Sequence, residues 1–375
     1  MELLGVRRAN YLLFVSYVIS FTASVLQVVY LPLFSVHALR VGVRGEEIGL
    51  ISGLSALVYA VVTPLAGSVS DMLGVARTTA SSLFILSVSY AFLPSLRDAI
   101  ALTLISLVVY LSYALLWPSI EAMIAQEGGS TSNFSASWSM GTLLGSALVS
   151  YLLQLPENIS FTLLSASILP LPPLLVRARV NSRESRAGLS SVAVAAISLS
   201  KHLKLSFAYA ASLGGSLAFY PLIVEARMLP IWLVSLSFFA MIGARTLTFI
   251  AYSRLPTAVM GKPFLGALLL APLAMLPYLS GAIPVAVVSA LAGIGQGLLY
   301  ATALSEVFAR GGGCAYTGVF ESSIGLGYVA GPIAAGLAST LSLELSIPAA
   351  VTIAIIAAIL PLRVGARNHV SSRTT

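Results

Sequence analysis

The stretch Gly67-Ser68-Val69-Ser70-Asp71-Met72-Leu73-Gly74-Val75-Ala76-Arg77-Thr78-Thr79 lies between two long apolar runs and holds one of only two aspartates in the chain. It compresses a glycine, an acid, a second glycine and a base into a tight turn, and such a turn must face water. Gly67 and Gly74 permit close backbone approach and positive φ, and Asp71 can accept from free N–H groups at a helix start. The physical reading is two membrane-spanning helices that meet at one bilayer surface with almost no loop.

The spacing G-x-x-x-D-x-x-G-x-x-R resembles the cytoplasmic motif between the second and third helices of the major facilitator superfamily. The lead-in is similar to that family too, from Leu31-Pro32-Leu33 through Glu47-Ile48-Gly49-Leu50-Ile51 to Thr63-Pro64-Leu65-Ala66-Gly67. Two positions depart from the pattern: Met72 stands where a base is usual, and only Arg77 remains of the usual basic pair. The resemblance implies an all-α polytopic membrane protein with twelve transmembrane helices in two pseudo-symmetric six-helix bundles.

Composition points the same way. Hydrophobic residues make up 58% and charged residues 9% of 375, with mean hydropathy +0.97, whereas a soluble domain carries roughly 25% charge. Twelve spans of about 20 residues use about 240 residues, leaving short loops and one modest linker. Pro, Gly or charge punctuates the apolar runs, placing spans near 11–37, 47–68, 78–95, 99–124, 134–154, 159–176, 204–225, 230–252, 263–280, 283–308, 314–339 and 343–362. The first run is longer than the roughly 7–15 residues of a signal-peptide core and is read as a retained span.

The net charge of +7 would suit nucleic acid, but its placement argues otherwise. With the N-terminus inside, the cytoplasmic side holds Arg7, Arg8, Arg77, Arg177, Arg179, Arg183, Arg186, Lys201, Lys204, Arg254, Lys262, Arg310, Arg363, Arg367 and Arg373. Only Arg40, Arg44, Arg97 and Arg227 fall outside, and Arg245 lies within a span. The positive-inside rule therefore puts both termini in the cytoplasm of a multi-pass cell-membrane protein. The basic excess is a topology signal and a contact with anionic lipid heads, not a nucleic-acid patch.

Residues 177–203 form the one extended hydrophilic segment, read as a cytoplasmic linker between bundles at 1–176 and 204–375, with room for a surface helix at 189–200. A weak internal repeat supports the division. Leu115-Leu116-Trp117 matches Leu298-Leu299-Tyr300, Trp138 through Gly145 matches Phe320 through Gly327, and Tyr30-Leu31-Pro32-Leu33 echoes Tyr220-Pro221-Leu222. Two parallel halves are the construction of facilitator-type transporters.

Enzymatic readings find no support. There is no G-x-x-x-x-G-K-[ST] or H-E-x-x-H, and His37, His202 and His369 lie far apart. Asp71 and Asp98 are too few for Asp-rich metal motifs, and the single Cys314 excludes a disulfide framework and a Cys-based metal cluster. No cofactor or metal is expected.

Gly325-x-Gly327-x-x-x-Gly331-Pro332-x-x-x-Gly336 resembles the Gly-Pro pattern of interdomain helices in the family, a face on which the halves approach closely. The resemblance further implies inner-gate pairs beside the Gly67, Asp71, Gly74 and Arg77 motif: Glu121 with Arg77, and Glu306 with Arg254 or Arg310. It also implies a cavity lined by spans one, four, seven and ten, where Gln27, Tyr30, Tyr113, Trp117, Tyr220, Gln296 and Tyr300 supply polar and aromatic groups. Arg245 and Glu321 share a depth of about 10–14 Å from the inner surface at about 1.5 Å per residue. An Arg in hydrocarbon costs about 2.5–3.5 kcal/mol, so Arg245 must face protein or water, either pairing with Glu321 or meeting an anionic substrate group.

The expected function is a monomeric secondary transporter that moves a small organic solute across the bilayer by alternating access. Coupling to a proton, with Glu321, alone or with Glu306, as its best carrier, and uncoupled facilitated diffusion both stay open. The competing class is a non-transporting sensor on the same scaffold.

Overall fold

The computed structural model describes residues 2–176, 189–254, 262–310 and 314–360, and every regular element among them is helical. Hydrocarbon offers no partner for a backbone N–H or C=O, so each apolar run satisfies its own by coiling. In chain order the spans are α1 Glu2–Arg40, α2 Gly45–Leu73, α3 Val75–Phe92, α4 Ala99–Gln126, α5 Thr131–Gln154 and α6 Glu157–Ile168, continued by Leu171–Val176. Then come α7 Leu189–Ala226, α8 Trp232–Ala251, α9 Pro263–Leu270, α10 Ala282–Ala309, α11 Cys314–Ser339 and α12 Ser346–Ile359. The second half of α9, Ala271–Tyr278, tightens to a 3-10 helix where Pro272 and Pro277 remove two donors.

Eight helices among the described residues are long and apolar enough to cross a membrane. Large apolar side chains such as Phe14, Val61, Phe84, Ile100 and Leu247 stay uncovered on the outside of the bundle, the surface that lipid would wet. The helices alternate in direction. One end, here called distal, carries the α1–α2 turn, and the proximal end carries the α2–α3 turn.

That proximal turn is even tighter than the sequence suggests. Helix α2 runs through Asp71 to Leu73, and α3 starts at Val75, so Gly74 alone, at φ +90°, makes the reversal. Its N–H donates to the Ser70 carbonyl at 2.8 Å, and its own carbonyl accepts from the Thr78 N–H at 2.9 Å. Gly67 lies within α2, so of the two glycines that permit a positive φ the turn uses Gly74. The Asp71 side chain lies outside the described residues, as do the linker residues 177–188. Residues 189–203, expected as linker with a surface helix, are instead continuous with α7 in one helix, Leu189–Ala226.

The two six-helix halves repeat one packing scheme. Helix α1 packs along α5 as α7 does along α11, and α2 packs on α4 as α8 does on α10. Helix α3 packs on α4 and α6 as α9 does on α10 and α12. Three seams join the halves: α2 on α11, α5 on α8, and α1 on α7. The seams place α7 at the centre, where 94% of its most apolar window is buried against 33% for α6.

A candidate central site between the two halves

The seams depend on glycines. A Cβ on Gly49 would fall 2.8 Å from the Gly336 Cα, and one on Gly325 would fall 2.8 Å from the Ala60 Cα, so only hydrogen lets α2 and α11 touch by backbone. The same closeness lets the Ser322 hydroxyl on α11 donate to the Ala60 carbonyl on α2 at 2.7 Å. One residue back on each helix, the Tyr59 hydroxyl donates to Glu321 Oε2 at 3.0 Å. A carboxylate of one half is thereby held by a phenol of the other.

Arg245 occupies the facing seam. It is 2% exposed, and its Nη1 donates to the Tyr209 hydroxyl at 2.8 Å. Its guanidinium carbon sits 5.4 Å from the Tyr209 ring, 5.8 Å from Phe249 and 6.0 Å from Trp138 of the other half. Its Nε has no hydrogen-bond partner. The expected ion pair with Glu321 is not formed: Arg245 spends its charge on aromatic faces and a phenol, and Glu321 turns to Tyr59.

Tyr300 closes this aromatic cluster, with ring centroids 4.7 Å from Phe249, 5.3 Å from Tyr209, 5.3 Å from Phe320 and 6.5 Å from Trp138. Glu121, half-buried on α4, makes no ion pair among the described residues and lies within electrostatic reach of Glu321 and Tyr59. A guanidinium, two carboxylates and six aromatic rings, drawn from both halves, thus lie along the seams.

The other expected cavity residues divide differently. In the first half, the Trp117 Nε1–H donates to Gln27 Oε1 at 3.1 Å. Tyr30 donates to the Ser106 hydroxyl at 2.9 Å, and Tyr113 shares a 2.9 Å bond with Tyr90. In the second half, Gln296 donates to the Ser212 hydroxyl at 3.1 Å and leaves its buried Oε1 unpartnered, as is the Tyr220 hydroxyl. Tyr30, Tyr113 and Tyr220 therefore sit in the cores of their own halves.

Of the expected proximal pairs, Glu306 with Arg310 is formed, while Glu121 with Arg77 and Glu306 with Arg254 are not. Arg77 and Arg254 are exposed, and neither forms an ion pair among the described residues. Glu306 binds Arg310, one turn on, and lies 3.9 Å from His202 Nε2, all within the second half. The ion pair that does join the halves is distal: Arg40 Nε donates to Glu225 Oε1 at 2.9 Å, and Arg40 Nη1 lies 3.5 Å from Glu157 Oε1. Sequence reading counted Arg40 only as a topology charge, because its partner stands 185 residues away. The signal in the sequence is the rarity of acids, 13 in the whole chain, with Glu157 and Glu225 both at distal helix ends.

No protein-family model matches the chain, and no curated protein is similar to it in sequence. Solved structures do match. A mutant of the nucleoside transporter NupG superposes with TM-score 0.73 at 14% identity, covering 92% of this chain and 98% of that one. A bacterial homolog of the human lysosomal transporter Spinster, in an inward-facing and occupied conformation, gives TM-score 0.72 at 13% identity over 93% and 94% of the two chains. The chain therefore has the twelve-helix, two-bundle fold of membrane transporters. More particularly, it is the major facilitator fold.

Proposed function

We propose that this protein is a secondary transporter carrying a small organic solute by alternating access. The observation that carries the reading is the charged aromatic cluster shared between the halves, with Arg245 facing Trp138 across one seam and Glu321 held by Tyr59 across the other. A site assembled from both halves is remade whenever they rock, which is what alternating access requires.

Tyr209, Tyr300, Phe249 and Trp138 offer ring faces for a flat or amphipathic solute, and Arg245 Nε offers a free donor for an anionic or carbonyl oxygen. The nucleoside transporter that this chain resembles in fold makes a nucleoside-like ring a sensible first solute. Glu121 and Glu321 come from opposite halves, and a proton on either one relieves their mutual repulsion, so this pair is the proposed proton carrier. Gln27 and Trp117 on one wall, and Gln296 on the other, complete the proposed lining.

The basic proximal end belongs in the cytoplasm by the positive-inside rule, with 1–176 and 189–375 as the two units of a monomer in the cell membrane. Among the described residues, ion pairs join the two halves at the distal end and not at the proximal end, an arrangement suited to a site open toward the cytoplasm. The test is counterflow in liposomes containing purified protein, run with nucleosides, sugars, amino acids and organic acids, with and without a pH gradient. Exchange of one class supports the reading. A lack of exchange for every class, in protein that is monodisperse and folded, overturns it.

A further inference from the structure

His37 sits on α1 one turn before Arg40 and is 1% exposed. Its Nδ1 lies 2.6 Å from Glu157 Oε2 and its Nε2 lies 3.1 Å from the Leu96 carbonyl oxygen. Both partners are acceptors, and a neutral imidazole has a single N–H. Neither tautomer of a neutral ring can satisfy both contacts when Glu157 is ionised. With the proton on Nε2, a lone pair faces the carboxylate; with it on Nδ1, a lone pair faces the carbonyl. The pair must therefore hold one further proton, as imidazolium beside carboxylate or as imidazole beside carboxylic acid. The Phe161 ring stands edge-on at 5.9 Å, in a pocket of about 10 Å³ that leaves room for one water at most.

Glu157 then passes this state across the molecule. Its other oxygen meets Arg40, and Arg40 donates to Glu225 on α7 of the second half. The remaining charges at this end face elsewhere. Asp98 accepts from the Ala101 N–H, Arg44 pairs with Glu46 and Glu47, Arg227 donates to the Pro277 carbonyl, Glu344 accepts from Ser342, and Arg97 is exposed.

We propose that His37 and Glu157 form a proton-binding site that locks the distal gate, the bound proton holding Glu157 where Arg40 can bridge it to Glu225. The inference rests on the alternating-access reading above. Loss of the proton to water at the distal face sets acceptor against acceptor, loosens α1 from α6 or from Leu96, and weakens the bridge between halves. By linkage, a proton held only in the closed state makes the distally open fraction rise with pH, by at most about tenfold per pH unit.

The experiment uses the full chain with Cys314→Ala, and with spin labels at Ile100→Cys and Leu341→Cys, both exposed at the distal end. Inter-label distances are measured in lipid nanodiscs from about pH 5 to about pH 8, the range in which histidine titrates. The expected result is a long-distance population that grows with pH and becomes pH-independent in Glu157→Gln and His37→Gln. The parent series needs no substitution at the site, so a misfolded variant leaves the pH dependence readable. Separation that ignores pH in the parent, or that titrates unchanged in both variants, overturns the proton site and leaves alternating access standing. Labels that never separate, at any pH or with a solute that counterflow has identified, overturn the alternating-access reading itself.

Discussion

Arg245 carries a full charge inside the bundle without a carboxylate in contact. Three aromatic faces at about 0.5–1 kcal/mol each roughly offset the 2.5–3.5 kcal/mol, on insertion scales, of placing an Arg mid-membrane, and Tyr209 supplies one hydrogen bond. The residue is thus tolerated rather than needed for stability. Arg245→Leu is expected to leave folded yield within about 1 kcal/mol of the parent and to lower counterflow of the identified solute at least tenfold. Thermal unfolding in detergent beside liposome counterflow checks both, and a loss of stability as large as the loss of transport would mean a structural knot. That Arg245, which is buried, must be covered was legible in the sequence, from its place inside an apolar span. Its partners were not, because Tyr209 is 36 residues away and Trp138 lies in the other half, and no single-chain periodicity links positions on different helices.

Helix α11 serves two neighbours from two faces. Gly327 and Gly331 pack against the backbone of α7 at Phe207 and Ala211, within their own half. Gly325 and Gly336, eleven residues apart and so three turns along one face, pack against α2 of the other half. The glycine pattern was visible in the sequence as a helix-packing stripe, but which glycine met which half was not, since spacing alone does not say what surrounds a helix. The two faces make opposite predictions. Gly336→Val wedges α2 from α11 at the distal end, and overpacking of about 1–3 kcal/mol shifts the gate roughly 5- to 150-fold toward open. Modification of Ser339→Cys by a water-soluble maleimide, in the Cys314→Ala background, should accelerate by that factor. Gly331→Val strains the second half itself, so it should lower thermal stability without speeding the reaction. Equal acceleration in the two variants would show that the faces are not distinct.

At the scale of the whole molecule, each half repeats one scheme of helix packing. Helix α5 closes on α1 so tightly that a Cβ on Gly145 would fall 2.7 Å from the Val25 carbonyl, and α11 closes on α7 in the same relation. The α2–α11 seam between halves is as extensive as the α7–α11 packing within one, but it is built from small residues and a few polar contacts, as surfaces that part and rejoin must be. If 1–176 is a folding unit, breaking the chain within 177–188 removes only the tether. Its loss is a matter of effective concentration, which confinement of both pieces to one membrane largely restores. Fragments 1–176 and 189–375, co-expressed, should co-purify and support uptake within about tenfold of the intact chain. A cut between 126 and 131 removes α5 and uncovers the α1 backbone at Phe21 and Val25, on which Gly141 and Gly145 pack, so fragment 1–126 alone should be digested by protease where 1–176 alone resists. If both fragments are digested alike, the halves are not independent units, and rocking of two preformed bodies would have to give way to a motion distributed over all twelve helices.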